Sequence, residues 1–425
     1  MSDKICPILW NHISIQQNGD YRVCCQCVYP PFAKLQDAEG NFLNVLTTDI
    51  NEARNSLLHT QIRKQMLNGV EPPECRLCWE DEKIGIMSKR QHMRKEYDIT
   101  SIIRDKNSVI DTDKFPLKYI DIRFGNLCNL SCRSCGPGDS SLWYDDYVAV
   151  NGVSEFSFYG STNYKFEKIN NVWALKNKDF SWYEDEKFWE MIEKVLPHVD
   201  RLYLTGGEPW VNKSQWRLLN LCVEHGYSKN IMLEYNSNLT VLPDNAEEIW
   251  SKFKFVNIGC SIDAVGPLAY YVRYPSDWIK LETNILKLGN FPMNNLQAKF
   301  SPTISVFNIL GFLDVAEWLI THRMRNIRPF PSYHLLHGPS FQNIKVLPLE
   351  TKQWIVEQYN AWFEKDRNHM MFKDKFQPIL TFMMSEDHSH MLPELKRTTE
   401  ILDAQRGQNI NDILPWLGNI LSNLK

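Results

Sequence analysis

The sequence predicts an α/β protein in which parallel β-strands alternate with helices. Its 425 residues are 43% hydrophobic and 23% charged, which is typical of a soluble globular chain long enough for one large core. From residue 117 onward, short runs with strand character alternate with longer helical stretches, as in βαβ units. The predicted strands cover residues 118–124, 200–205, 231–236, 255–263, 297–306 and 327–335.

One face of these strands is predicted to be polar. Asp121 and Arg123 alternate with apolar residues in the first strand, and Glu234 and Asn236 share parity in the third. A parallel sheet with helices on both faces should be apolar on both. We therefore expect a partial (β/α)6 TIM-like barrel with a polar, ligand-holding interior. The alternative is that the polar residues lie at strand ends and face solvent.

Three regions are expected along the chain. Residues 1–100 are expected to form a small Cys-rich N-terminal module that includes a β-hairpin turning at Gly19-Asp20. The partial barrel is expected over 115–340, with an insertion at 136–199 that is too long for a plain crossover. Residues 345–425 show no strand signal and are predicted to form a helical C-terminal extension.

Charge and hydropathy argue against several classes of partner. The net charge of −4 does not suit a polyanion-binding protein, so no nucleic-acid partner is expected. No apolar run is long enough to span a bilayer, and the N-terminus lacks the apolar stretch of a signal peptide. The chain is therefore expected to be cytoplasmic and to have no membrane partner.

The eleven cysteines are distributed unevenly. Six lie within residues 6–78 and three within 128–135, whereas Cys222 and Cys260 stand apart and are expected to be small core residues. An odd number of cysteines in a cytosolic chain argues against a disulfide framework. Close spacing is what a metal site requires, because several thiolates must reach one metal group.

The sharpest motif is C-x3-C-x2-C, formed by Cys128, Cys132 and Cys135 directly after the first predicted strand. Three thiolates on one loop can ligate three irons of a [4Fe–4S] cluster and leave the fourth iron open to another molecule. The alternative is a zinc knuckle, which needs a fourth Cys or His close by. The nearest downstream histidine is His198, which lies far along the chain.

This motif resembles the defining motif of the radical S-adenosylmethionine (radical SAM) superfamily, and the resemblance covers residues 115–340. The segment Thr205–Pro209 after the second predicted strand is similar to that family's GGE motif. Glycines in such a segment let the backbone approach a ligand closely. The resemblance implies that Gly206, Gly207 and Glu208 bind the methionine amino group of S-adenosylmethionine (SAM).

Four further residues match the family pattern in order along the chain. Asn236 ends the third predicted strand, Ser261 and Asp263 end the fourth, and Arg273 follows. The resemblance implies that Asn236, Ser261 and Asp263 reach polar groups of SAM. It also implies that Arg273 binds the SAM carboxylate; an exposed surface arginine is the alternative. The chain departs from the family at Ser134, where a bulky residue commonly packs near adenine.

The N-terminal cysteines resemble the twitch and SPASM modules that hold auxiliary [4Fe–4S] clusters in radical SAM enzymes. Here the G-x4-C and C-x2-C spacings precede the predicted barrel instead of following it. The resemblance implies one auxiliary cluster whose ligands are Cys6, Cys24, Cys75 and Cys78. Cys25 could replace Cys24, and Cys25 and Cys27 are otherwise spare. A structural zinc site is the alternative, because four thiolates also suit zinc.

The resemblance implies a radical SAM enzyme. Such an enzyme reductively cleaves SAM at its [4Fe–4S] cluster, and the 5′-deoxyadenosyl radical abstracts a hydrogen atom from substrate. The expected partners are a low-potential electron donor such as flavodoxin or ferredoxin and an unidentified peptide, protein or small-molecule substrate. The alternatives are a non-catalytic iron–sulfur protein and a zinc-binding protein.

Overall fold

A seven-stranded, mainly parallel β-sheet forms the centre of the computed structural model, which describes residues 2–27, 34–158, 163–176 and 179–424. Its strands are β1 (His12–Ile15), β2 (Tyr21–Arg22), β3 (Tyr119–Arg123), β7 (Arg201–Thr205), β8 (Met232–Ser237), β9 (Phe255–Cys260) and β10 (Leu296–Phe300). The strand order is β10-β9-β8-β7-β3-β1-β2, and only β1 and β2 pair antiparallel. The predicted α/β class is therefore confirmed.

Helices connect the strands and make up the C-terminal region. The α-helices of the described residues are α1 (Ile8–Asn11), α2 (Ile50–Arg54), α3 (Leu57–Leu67), α4 (Arg76–Lys83), α5 (Lys89–Glu96), α6 (Thr100–Asp105), α7 (Tyr144–Asn151), α8 (Glu186–Val195), α9 (Lys213–Glu224), α10 (Ala246–Trp250), α11 (Pro267–Val272), α12 (Trp278–Gly289), α13 (Gly311–Thr321), α14 (Leu349–Phe363), α15 (Arg367–Met370), α16 (Lys373–Met384), α17 (Leu392–Arg406), α18 (Ile410–Ile413) and α19 (Pro415–Ser422). Among the described residues, no helix is both long and apolar enough to cross a membrane.

The first four predicted strands are confirmed to within a few residues, whereas the fifth and sixth are interrupted. The fifth is split at Pro302 into β10 and β11 (Thr303–Ile304), and β11 pairs with the two-residue β12 (His334–Leu335). The prediction of one strand over 327–335 is wrong, because Pro329 and Pro331 cannot donate to a ladder. Ile327, at the start of this range, forms an isolated parallel bridge with Ala298, and only the last two residues, His334 and Leu335, form a strand.

The predicted polar face is confirmed by the strand register. Ser14, Asp121, Tyr203, Glu234 and Asn257 are successive partners across β1, β3, β7, β8 and β9. These positions lie in the strands and not at their ends, which excludes the alternative of solvent-facing strand ends. The opposite face is apolar and buried, as shown by the neighbouring row Ile13, Ile120, Leu202, Leu233 and Val256.

The N-terminal segment joins the main sheet. The predicted hairpin is confirmed, since β1 and β2 pair antiparallel and Gly19 adopts a φ of +82° in the turn between them. The other edge of β1 pairs parallel with β3, so that His12 is opposite Tyr119. The cysteine-rich residues and the strand that precedes the C-x3-C-x2-C motif therefore share one sheet and one continuous core.

The insertion at 136–199 has its own small sheet. Strands β4 (Glu155–Ser157), β5 (Asn163–Ile169) and β6 (Val172–Leu175) pair antiparallel in that order. A separate aromatic cluster packs on them, formed by Tyr144, Phe156, Phe158, Tyr164, Phe166 and Phe180. The part of the insertion around β4–β6 thus has its own small core, whereas α8, later in the insertion, packs in the main core.

Buried ion pairs connect the C-terminal helices to the three-cysteine loop and to α7. Arg133, only 1% exposed, donates to Asp403 of α17 and to the carbonyl of Tyr271 at 3.0 Å. Its guanidinium also stacks 3.7 Å from the Tyr271 ring centroid. A second pair joins Arg406 of α17 to Asp146 of α7 at 2.7 Å. The predicted helical extension therefore buttresses the cysteine loop.

Replacing Arg133 by Met should lower the free energy of unfolding by about 3–5 kcal/mol, because Asp403 would lose its buried partner. Arg397→Met is the matched control. Arg397 also pairs with a carboxylate, Glu394, but both side chains are more than two-fifths exposed, so a loss of about 0–1 kcal/mol is expected. Urea unfolding followed by circular dichroism measures both. Equal losses in the two variants would contradict this account.

Candidate functional site

The three-cysteine loop lies at the carboxyl end of β3 and is fixed by backbone hydrogen bonds. The amide of Ser131 donates to the Tyr274 carbonyl at 2.7 Å, and the amide of Arg133 donates to the Val272 carbonyl at 2.9 Å. The Cys135 amide donates to the Cys132 carbonyl at 3.0 Å. This turn brings the thiols of Cys132 and Cys135 within hydrogen-bonding reach of each other.

The surroundings of the loop shift the pKa values of two of its thiols in opposite directions. The hydrogen bond with Cys135, together with the positive charge of Arg273, lowers the pKa of Cys132 to about 7 against the effect of burial. Burial and the charge of Cys132 raise the pKa of Cys128 to about 12. A thiol whose pKa is depressed by nearby donors and cations is suited to be a metal ligand as thiolate.

Arg273 and Asp263 are brought to this loop together. The Arg273 Nε lies 2.7 Å from Asp263 Oδ2, and its Nη1 lies 3.6 Å from Cys132 Sγ. The Arg273 side chain is 14% exposed, so the alternative of an exposed surface arginine is wrong. Its guanidinium is oriented by Asp263 and faces the cysteines.

The Gly206-Gly207 segment packs directly against the start of the cysteine loop. Gly206 has a φ of +105°, and a Cβ added at Gly207 would lie 2.1 Å from the carbonyl oxygen of Leu127. The Glu208 amide donates to that same carbonyl at 2.8 Å. Two glycines are therefore needed here, because any side chain at Gly207 would separate the two segments.

The Glu208 carboxylate is occupied by protein donors. It accepts from the Ser237 hydroxyl at 2.8 Å and from the Asn238 amide at 2.7 Å, and burial raises its pKa to about 7. Asn238 in turn donates to Asn129 of the cysteine loop at 2.9 Å. The side chain of Glu208 thus fixes the end of β8 beside the cysteine loop.

The remaining predicted SAM contacts lie at the same edge of the sheet. Asn236 donates to the Tyr203 hydroxyl at 2.7 Å, on the polar face. The Ser261 amide donates to the Ser237 carbonyl at 2.8 Å, which places Ser261 beside the end of β8. The two cysteines outside the clusters, Cys222 and Cys260, are fully buried in the apolar core as predicted.

The insertion supplies supports that the sequence did not indicate. The indole N–H of Trp143 donates to the Cys132 carbonyl at 2.8 Å, and the Ser140 hydroxyl donates to the Leu130 carbonyl at 2.6 Å. Asn126, just before the loop, donates to the Tyr144 hydroxyl at 2.7 Å. No spacing in the sequence links these residues to the cysteines.

The N-terminal cysteines come together in a second site. One pocket is lined by Cys6, Cys24, Cys27, Cys75 and Cys78, so all four predicted ligands meet there. Burial raises the pKa of Cys6 to about 12 and that of Cys78 to about 11. Backbone N–H groups of Ile8, Gln26 and Arg90 donate to the sulfurs of Cys6, Cys24 and Cys78 respectively.

Cys27 is a lining residue that sequence reasoning left as spare. Its thiol is within hydrogen-bonding reach of both Cys24 and Cys75. The C-x2-C spacing of Cys24 and Cys27 could have indicated it. Cys25 is absent from the lining of this pocket, but its thiol is within hydrogen-bonding reach of Cys24 and lies near Lys89 and Asp121.

Both thiol sets have the donor chemistry of iron–sulfur sites. Sulfur ligands that are buried and receive amide N–H bonds are what such clusters require. No group of three or more His, Cys, Asp or Glu residues within the described ranges already has the geometry for a single metal ion. The cysteines therefore fit a [4Fe–4S] cluster at each site by residue type, burial and hydrogen bonding.

The chain matches no model of a known protein family, and a search of curated proteins found none similar to it.

Gly207→Ala should lower the free energy of unfolding by about 1–3 kcal/mol, because its Cβ would force the 206–208 segment away from Leu127. Gly136→Ala is the matched control, since a Cβ there meets nothing within 4 Å in the same cysteine loop. Thermal unfolding midpoints measure both variants. An unchanged midpoint for Gly207→Ala would show that the two segments are not in close contact.

Proposed function

We propose that this protein is a radical SAM enzyme built on a partial (β/α)6 TIM-like barrel. One observation carries the proposal: the three-cysteine loop, the Gly206-Gly207 segment and the Arg273–Asp263 pair meet at the carboxyl edge of one parallel sheet. That edge is where α/β enzymes place cofactors. Stability alone does not require these three features to lie together.

The residues divide the binding of cluster and SAM between them. Cys128, Cys132 and Cys135 would hold a [4Fe–4S] cluster, which with bound SAM supplies the electron and the 5′-deoxyadenosyl radical that takes a hydrogen atom from substrate. The backbone at Gly206, Gly207 and Glu208 would hold the amino group of SAM. Further contacts to SAM would come from Asn236, Ser261 and Asp263.

Arg273 would bind the SAM carboxylate beside the cluster. Its Nε is engaged by Asp263 and its Nη1 already faces Cys132, so the guanidinium is oriented before SAM arrives. A preoriented cation loses little freedom when it binds an anion. Trp143 and the insertion cover the loop carbonyls and would help to exclude water from the site.

The second thiol site would hold an auxiliary [4Fe–4S] cluster through Cys6, Cys24, Cys75 and Cys78. Cys27 is a fifth candidate for these four ligand positions, since its thiol is within hydrogen-bonding reach of both Cys24 and Cys75. The enzyme would act in the cytoplasm with a low-potential electron donor such as flavodoxin or ferredoxin. Its substrate would reach the polar face of the sheet, and a peptide or protein is our first candidate.

Anaerobically reconstituted protein should contain about eight irons per chain, and Cys128→Ala should retain about four, because each [4Fe–4S] cluster holds four irons. The variant should also form no 5′-deoxyadenosine from SAM under reducing conditions. Cys222→Ala, a buried core cysteine, is the control and should behave as the parent protein. Iron content and chromatography of the nucleoside products measure these outcomes.

Two results would contradict the enzyme proposal. An unchanged iron content in Cys128→Ala would remove the three-cysteine assignment. Two intact clusters without any 5′-deoxyadenosine would instead indicate a non-catalytic iron–sulfur protein.

The N-terminal site should lose about four irons in Cys75→Ala, because a [4Fe–4S] cluster with a missing protein ligand is poorly retained. Cys25→Ala should keep the full iron content, since Cys25 lies outside the thiol pocket. Metal analysis of the parent protein separates the alternatives: one bound zinc with about four irons would assign the N-terminal site to zinc.

A further inference from the structure

Four oxygen atoms on the polar face of the sheet accept no hydrogen bond from the described part of the chain. They are Gln16 Oε1, Gln17 Oε1, Asp121 Oδ1 and Thr205 Oγ1. Gln16 and Asp121 are 0% exposed and Gln17 is 1% exposed. Each such acceptor costs about 1–3 kcal/mol when buried without a donor. A cluster of them therefore favours a bound molecule that donates hydrogen bonds.

The chemistry of their neighbours fixes the orientation of these oxygens. The Gln17 amide nitrogen donates to Asp139 Oδ1 at 2.6 Å, and the carboxylate can only accept. The Gln16 amide nitrogen donates to the Ser14 hydroxyl at 3.1 Å, and that hydroxyl donates to Asp121 Oδ2 at 3.0 Å. The amide nitrogens of Gln16 and Gln17 are thus bonded to protein acceptors, and the amide oxygen of each residue has no donor.

These acceptors lie between the two cysteine sites. Asp139, which accepts from Gln17, donates its amide to the Gly136 carbonyl at 3.0 Å, directly after Cys135. On the other side, Lys89 donates to Tyr119 and also lines the N-terminal thiol pocket. Thr205 lies opposite Arg123 in the register of β3 and β7, at the end of the strand that leads to Gly206. A molecule bound here would touch the N-terminal segment on one side and the proposed SAM site on the other.

The charges around Asp121 select the kind of donor. Burial raises the pKa of Asp121, and the neighbouring cations Arg123, Lys89 and Arg22 oppose that shift; Arg123 Nε lies 3.9 Å from Asp121 Oδ1. Lys89 also donates to the Tyr119 hydroxyl at 2.9 Å beside this carboxylate. The negative charge of Asp121 is therefore already balanced, and an ammonium group would be repelled by these cations. An uncharged N–H group would donate to the acceptors without adding a positive charge.

We propose that Gln16, Gln17, Asp121 and Thr205 form the substrate-recognition site of the enzyme and bind an uncharged amide group of the substrate. This inference rests on the proposed function and assigns the recognition of substrate to residues outside the cysteine and SAM sites. A primary or peptide amide suits the site, because its N–H donors would satisfy buried oxygens that approach from β1, β3 and β7. Asp121 would be a specificity-determining residue.

Cys25 allows the site to be probed without knowing the substrate, because it is a partly exposed residue whose thiol lies near Asp121. The probes are 2-iodoacetamide and N,N-dimethyl-2-iodoacetamide, which differ in the presence of N–H donors. In both reactions a carbon–sulfur bond forms at Cys25, the carbon–iodine bond breaks, iodide leaves and the thiol proton passes to solvent. Rates on anaerobically reconstituted protein are measured by peptide mass mapping and divided by the rates on N-acetylcysteine.

Iodoacetamide should label Cys25 about tenfold faster than its dimethyl analogue after this correction, as expected for one or two hydrogen bonds to the amide. In Gln16→Met and in Asp121→Leu the ratio should fall to about one to three, because an acceptor is lost. Gln353→Met, at an exposed position of α14, is the control and should keep the parent ratio. Gln16→Met provides the test if Asp121→Leu does not fold.

Three results would overturn the inference: a ratio near one in the parent protein, faster corrected labelling by iodoacetate than by iodoacetamide, or no labelling of Cys25 by either amide. Failure of the proposed function gives a different signature, because it shows as missing iron or missing 5′-deoxyadenosine. A protein with both clusters and SAM cleavage but a ratio near one would keep the proposed function and lose this site.

Discussion

The arrangement of the whole site depends on the backbone hydrogen bonds between the three-cysteine loop and residues 272–274. The amides of Ser131 and Arg133 would otherwise be buried without acceptors, which is costly. These bonds bring the end of β3 next to the segment after α11, although the two are far apart in sequence. As a direct consequence, Arg273 lies next to Cys132, because it is the residue between Val272 and Tyr274, whose carbonyls accept these bonds.

Charged groups buried around this loop define its geometry more than they add stability. Arg133 with Asp403, Arg273 with Asp263, and Glu208 with its hydroxyl and amide donors are each buried and each held by fixed partners. A buried ion pair gives little net stability over an apolar pair, but it permits only one arrangement of its members. Such rigidity is suited to a site in which backbone and thiols must meet a ligand at set positions.

The sequence was sufficient for features set by local pattern and short spacing. Strand parity predicted the polar row that includes Asp121 and Glu234, and the C-x3-C-x2-C and Gly206-Gly207 motifs are brought together as expected. Long-range pairing was not readable, so the alignment of β1 beside β3 was missed. The use of the Glu208 carboxylate by Ser237 was missed for the same reason. Cys27 was set aside because four ligands seemed enough, although its spacing from Cys24 is that of a metal-binding pair.

The pairing of β1 with β3 also changes how the N-terminal cysteines relate to the rest of the chain. A detachable module would meet the barrel through a surface, whereas β1 supplies backbone partners to β3, and Ser14 bonds to Asp121 within the polar face. Lys89 of α5 then reaches over the same face to Tyr119. Without this segment, β3 would become an exposed edge and the polar face would lose one wall. The N-terminal thiol site and the polar face are therefore parts of one folding unit, so that the distance between the two cysteine sites is set by the sheet itself.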